Sequence, residues 1–100
     1  MRIEKSPISK LSNTDFNNLK FGETFTDHMF ICDYENGKWI DPRIVPYKPI
    51  EIEPSANVLH YGQAVFEGMK AYKDDLGKIW LFRPTENYKR ISISSERLAM

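Results

Sequence analysis

Arg90 is the charge of most chemical interest in this sequence, one strand, one turn and about two helical turns beyond the glycine-containing segment. It ends the run Asn87-Tyr88-Lys89-Arg90. A guanidinium presents a planar fork of donors that matches a phosphate. A plainer reading stands beside this one. Glu86 lies four residues earlier, in the favourable acid-then-base order, and the two would then form a surface pair of little energetic weight. On the residues alone the surface pair is preferred. Tyr61, at a turn, and Phe66, two residues before Gly68, would line an apolar pocket with the Tyr61 hydroxyl as its polar handle. Ordinary core packing accounts for them equally well, and Phe25 is a weaker case of the same kind. Lys70 and Lys73 have the chemistry for a Schiff base, but a strand lysine normally keeps its head in solvent, and that reading is taken here. His28 and His60 are far apart in sequence, with no ligand pair near either, so no metal site is expected. His28 reads as a strand residue bonded to backbone or solvent. The sequence holds no nucleophile elbow, no Walker loop and no dinucleotide-binding glycine fingerprint.

These residues need elements to position them. Phe25 to Tyr34 alternates with apolar residues on both faces and predicts a strand covered on both sides. Asn36-Gly37 supplies the left-handed pair of a tight hairpin turn, with a return strand over Lys38 to Val45. Pro42 cannot donate to a ladder and predicts an edge or a bulge there. Ile50-Glu51-Ile52-Glu53 alternates as a short edge strand would, and Ser55-Ala56-Asn57 reads as a turn. Val65 to Lys73 and Lys78 to Phe82 predict a second hairpin, closed by Asp74-Asp75-Leu76-Gly77. Gly68 inside the first of these strands suggests a close approach by some other group. A helix is predicted from Pro84, with proline and Glu86 in its first turn. Its apolar stripe would be Tyr88, Ile91, Ser95 and Leu98, and its polar stripe Asn87, Arg90, Ser94 and Arg97. Ile91-Ser92-Ile93-Ser94 also alternates like a strand. Residues 1–20 read as an N-terminal arm, with Ser12-Asn13-Thr14-Asp15 forming a cap or turn.

The totals narrow the class. One hundred residues make at most one modest domain. Acidic and basic residues balance at 14 each, so no global field draws the chain to nucleic acid or an anionic membrane. Any anion must be held by local geometry. Cys32 is the single cysteine, which excludes an intrachain disulfide and fits a cytoplasmic protein. The N-terminus lacks the apolar region of a signal peptide, and no apolar run approaches the length of a membrane helix.

The run Leu59-His60-Tyr61-Gly62-Gln63-Ala64-Val65-Phe66-Glu67-Gly68-Met69-Lys70-Ala71-Tyr72 resembles the branched-chain amino acid aminotransferases, pyridoxal-phosphate enzymes of fold type IV. The resemblance continues through Leu81-Phe82-Arg83-Pro84, Asn87-Tyr88-Lys89-Arg90 and Ser95-Glu96-Arg97-Leu98, and upstream through Phe21 to Met29. It implies an α+β fold of antiparallel hairpins in one sheet packed with a helix, most of the small N-terminal domain of such an enzyme over residues 21–100. It also implies transfer of an amino group between leucine, isoleucine or valine and 2-oxoglutarate, with pyridoxal 5'-phosphate as cofactor and a homodimeric parent. By motif position Arg90 would hold the cofactor phosphate, Tyr61 and Phe66 would line the pocket for the branched side chain, and Phe25 would form a further wall. The family's Schiff-base lysine has no counterpart in this sequence, and Lys70 does not match its motif. The chain is therefore expected to be inactive alone and to expose apolar surface. Two other readings remain: another type IV aminotransferase or lyase, and a non-catalytic binding module.

Overall fold

A computed structural model describes residues 1–100 and divides the chain into two compact units, Met1–Glu51 and Ile52–Met100. Both are α+β or β in character, with antiparallel hairpins and one long helix, in keeping with the expected class.

In the first unit, β1 (Arg2–Ile3), β2 (His28–Glu35) and β3 (Lys38–Pro46) form one sheet in the order β1-β3-β2. β2 and β3 are an antiparallel hairpin joined by Asn36 (φ 51°) and Gly37 (φ 77°), the left-handed pair the sequence supplies. β3 is the central strand, so Pro42 does not mark an edge. It marks a bulge: Ile31 faces Arg43 and Asp33 faces Ile40, leaving Asp41 and Pro42 opposite Cys32 alone. Arg43 Nη1 fastens the bulge, donating to Asp33 at 2.6 Å and to the Asp41 carbonyl at 3.0 Å. Residues 1–10, read above as part of an arm, are tied to the strands. β1 runs parallel to β3, and the Glu4 N–H donates to the Ile44 carbonyl at 2.9 Å. The Ser6 N–H donates to His28 Nε2 at 2.9 Å, which is the backbone bond expected of that histidine. Asp27 accepts from the Ser9 hydroxyl (2.7 Å) and the Lys10 N–H (3.0 Å), and these bonds lower its pKa. A single turn of 3-10 helix spans Leu11–Asn13. Val45, 6% exposed, is the one buried residue of the chain.

In the second unit, α1 (Asn57–Tyr61) is followed by β4 (Ala71–Lys73), β5 (Ile79–Leu81) and α2 (Pro84–Arg97). A turn at Pro54 and Ser55, close to the one expected over Ser55-Ala56-Asn57, leads directly into the helix α1, which was not expected. The helix is five residues long, is closed by left-handed Gly62, and is braced by hydrogen bonds of His60 to the Pro54 carbonyl and of Asn57 to Gln63. Ile50–Glu53 forms no strand. The two hairpins do not share a sheet: β4 and β5 make a separate two-stranded ladder, and only three residues of each predicted strand pair. Upstream of β4, Gln63, Val65 and Glu67 are half-buried while Ala64, Phe66 and Gly68 are exposed, the period of an extended chain without a bonded neighbour. Asp74 closes the hairpin by accepting from the Leu76 and Lys78 N–H groups and from Trp80 Nε1, at 3.0, 2.8 and 2.8 Å.

α2 begins at Pro84 and carries Glu86 in its first turn and Arg97 in its last. Its half-buried positions include Pro84, Asn87, Ile91, Ser94 and Ser95, whereas Tyr88 and Leu98 are exposed. The covered stripe thus lies one residue round from the predicted one and includes a polar side chain, Asn87. The alternating Ile-Ser run is helical throughout, and the Ser92 and Ser95 hydroxyls donate to the carbonyls of Tyr88 and Ile91, each at 2.9 Å.

Candidate functional site

The second unit gathers a site where α2 crosses the extended segment before β4. Asn87 and Arg90 are one helical turn apart on α2, and both reach Glu67. Arg90 Nε donates to Glu67 Oε2 at 2.7 Å, and Arg90 Nη2 donates to Glu67 Oε1. Asn87 Nδ2 donates to Glu67 Oε1 at 3.0 Å and to the Gly68 carbonyl at 2.8 Å. The bond from Arg90 pulls the Glu67 pKa down to about 2 against the cost of partial burial, helped by Asn87 and the Gly68 N–H. The same bond raises the pKa of Arg90. Both groups are charged throughout the physiological range.

The expected surface pair of Arg90 with Glu86 does not form. The carboxylate partner of Arg90 is Glu67, 23 residues away, and Glu86 instead pairs with Lys89 at 3.0 Å. A guanidinium has five N–H donors. Glu67 takes one edge of the fork, and the Nη1 hydrogens and the second Nη2 hydrogen have no partner in the chain. Arg90 also lines a cavity of about 380 Å³ together with Gly68, Met69, Lys70, Arg83 and Asn87. Lys70 has no ion-pair partner, and Arg83 meets only Glu86, at 3.9 Å. Three cationic side chains and one carboxylate, that of Glu86, therefore border the space. It is open to an anion. Gly68 is not pressed by any atom of the chain, since a Cβ there would meet nothing within 4 Å.

The other expected site residues lie elsewhere. Tyr61 ends α1 and Phe66 lies in the extended segment, at 83% and 88% exposure, and neither lines the cavity at Arg90. Phe25 belongs to the first unit, stacks on Tyr47 with centroids 5.1 Å apart, and lines a separate cavity of about 340 Å³ with Leu11, Phe16, Leu19 and His28. No group of three or more His, Cys, Asp or Glu side chains converges as a metal site would require. Sequence reasoning missed Glu67 and Asn87. Both fall within the family-like runs, but nothing local in their spacing pairs residues 20 and 23 positions apart.

No protein-family model matches the chain. Individual proteins do. A probable branched-chain-amino-acid aminotransferase of Staphylococcus epidermidis is 56% identical over 101 aligned positions, which take in 100% of this chain and 28% of that protein. Branched-chain-amino-acid transaminase 1 of Bacillus subtilis is 55% identical over 86% of this chain and 24% of its own length. A Helicobacter pylori branched-chain-amino-acid aminotransferase is 48% identical over 93% of the chain and 27% of its length.

In sequence, the chain matches a short N-terminal portion of the branched-chain-amino-acid aminotransferases. It spans about a quarter of the length of these relatives. The Glu67–Arg90–Asn87 cluster lies within the aminotransferase-like sequence.

Proposed function

We propose that this chain forms part of the N-terminal region of a branched-chain aminotransferase, which moves an amino group between leucine, isoleucine or valine and 2-oxoglutarate. Pyridoxal 5'-phosphate, when bound, supplies the electron sink for that transfer. In this reading Arg90 holds the cofactor phosphate. The observation that carries it is the half-used guanidinium: one edge is locked on Glu67, and the remaining donors border a cavity flanked by Lys70 and Arg83. The donor set fits a phosphate, which accepts several charge-assisted hydrogen bonds at once. Tyr61 and Phe66 stand exposed, as residues awaiting an apolar ligand or a further protein surface would, and Phe25, stacked on Tyr47 in the first unit, is kept as a substrate-pocket residue by resemblance alone. An apolar pocket separates substrates that differ by one methylene by only about 1–3 kcal/mol, so leucine, isoleucine and valine would all be accepted.

The working enzyme is a cytoplasmic homodimer in this reading. No helix of the chain is long and apolar enough to cross a membrane. The 100 residues bind and orient but do not transfer the amino group, because no lysine among them matches the cofactor-bearing motif. The test has two arms. The complete protein carrying this sequence is assayed for glutamate formation with leucine and 2-oxoglutarate, beside D-alanine and aminodeoxychorismate. Turnover of leucine alone supports the reading, and turnover of either other substrate in its place points to a different type IV enzyme. The 100-residue chain is assayed in parallel with added pyridoxal 5'-phosphate. Enzyme-like turnover by it would overturn the assignment of the chemistry to other residues.

A further inference from the structure

We infer that Glu67, held in place by Asn87, is a positioning residue that sets the orientation of the Arg90 guanidinium toward a phosphate without touching the phosphate itself. The inference rests on the assignment of Arg90 as the phosphate holder.

The geometry favours this over a plain surface ion pair. Glu67 is the inner partner, with a side chain 12% exposed against 61% for Arg90. Its two carboxylate oxygens each take one nitrogen of the same guanidinium edge. Two parallel bonds fix the plane and the rotation of the group, where a single bond would leave it free to swivel. The carboxylate is itself fixed, because Asn87 Nδ2 bridges Glu67 Oε1 and the Gly68 carbonyl. The extended segment and α2 are thereby locked in register at the cavity wall. A lone arginine has large rotamer freedom to lose when it binds an anion, and one already clamped loses less. The bonds leave the Nη1 end of the fork for the ligand. Lys70 and Arg83 border the same cavity and offset the negative charge that Glu67 brings near it.

The test measures affinity of the complete protein for pyridoxal 5'-phosphate by fluorescence titration, with inorganic phosphate as a competing probe, and the melting temperature of each unliganded variant. Glu67→Gln keeps the size but loses one acceptor and is expected to weaken binding of both probes about tenfold, the scale of a lost charge-assisted bond. Glu67→Asp keeps the charge and is expected to fall between. Asn87→Ala frees the carboxylate and is expected to weaken binding by a smaller factor. In an Arg90→Ala background, Glu67→Gln is expected to have no further effect, since the carboxylate acts only through the arginine. If Arg90→Ala weakens binding but Glu67→Gln leaves it unchanged or tightens it, the positioning role is wrong and Glu67 is a competitor or a bystander. Equal losses from Glu67→Gln with and without Arg90 overturn it as well, as does a loss of affinity that only tracks a lower melting temperature. If Arg90→Ala leaves the affinity intact, the phosphate assignment falls and the inference falls with it.

Discussion

Urea should expose far less new surface in this chain than in a typical domain of its size. The mass is 11.7 kDa. A compact monomer of that mass has an accessible surface of about 5,900 Å², and its unfolded chain about 17,000 Å². The folded chain has 9395 Å². Unfolding would therefore uncover about two-thirds of the area that a compact protein of this mass uncovers. The denaturant slope and the heat-capacity change both scale with that area. The heat-capacity change should be about 0.8–1.0 kcal/mol/K, below the roughly 1.2–1.5 kcal/mol/K usual for 100 residues, and the urea slope should shrink in the same proportion. The assay is calorimetry and urea titration of the 100-residue chain at several concentrations, followed through Trp39 in the first unit and Trp80 in the second. An apolar dye should bind strongly before any urea is added, because Phe21, Phe66, Leu76 and Phe82 are among the many exposed apolar residues. A slope and heat-capacity change of full size, with a concentration-independent midpoint and no dye binding, would refute the reasoning. The chain would then bury its apolar residues in a way that this structure does not show.

Four further outcomes follow from individual contacts. Val45→Ala removes two methylene equivalents from the only buried side chain and should cost about 1.6 kcal/mol in urea titration read at Trp39. Gly37→Ala places a side chain at φ 77° and should cost about 1–2 kcal/mol by the same measurement. Asp74→Ala removes the acceptor of three hydrogen bonds and should fray the β4–β5 hairpin, seen as a change in Trp80 emission and faster amide exchange at Leu76 and Lys78. Because the folded pKa of Glu67 is depressed from 4.5 to about 2, its stabilisation is complete above pH 4.5 and fades as the pH falls through 2. Carboxylate NMR should place its titration in that window, and Arg90→Ala should move it back toward 4.5.

The sequence exposed those parts of the structure that short-range chemistry decides. Asn36-Gly37 names its turn because few other pairs tolerate two left-handed residues. Asp74 and Gly77 do the same for the second hairpin, and Pro84 with Glu86 marks the start of α2. What alternation could not decide was pairing. Ile50–Glu53 and Val65–Lys70 have the pattern of strands, but a strand exists only where a neighbour takes its backbone bonds, and here only Ala71–Lys73 finds one. β1 was hidden for the converse reason: two residues are too few to show a period, and its parallel register with Arg43 and Ile44 is a long-range fact.

The candidate site follows the same division. Arg90 stood out because its chemistry is legible in one residue and its setting resembles a known family. Its partner did not stand out, because the local rule offered Glu86 and the structure chose Glu67. The choice has a physical cause. Glu86 sits in the first turn of α2, within reach of Lys89 and Arg83, and either can satisfy its charge at the surface. Glu67 is half-buried, and a carboxylate there needs strong donors or it would be driven toward protonation. Only Arg90 and Asn87, one turn apart on the face of α2 that crosses it, supply them. The need of the half-buried acid thus fixes the exposed base. The same demand holds the Arg90 guanidinium by two bonds to one carboxylate.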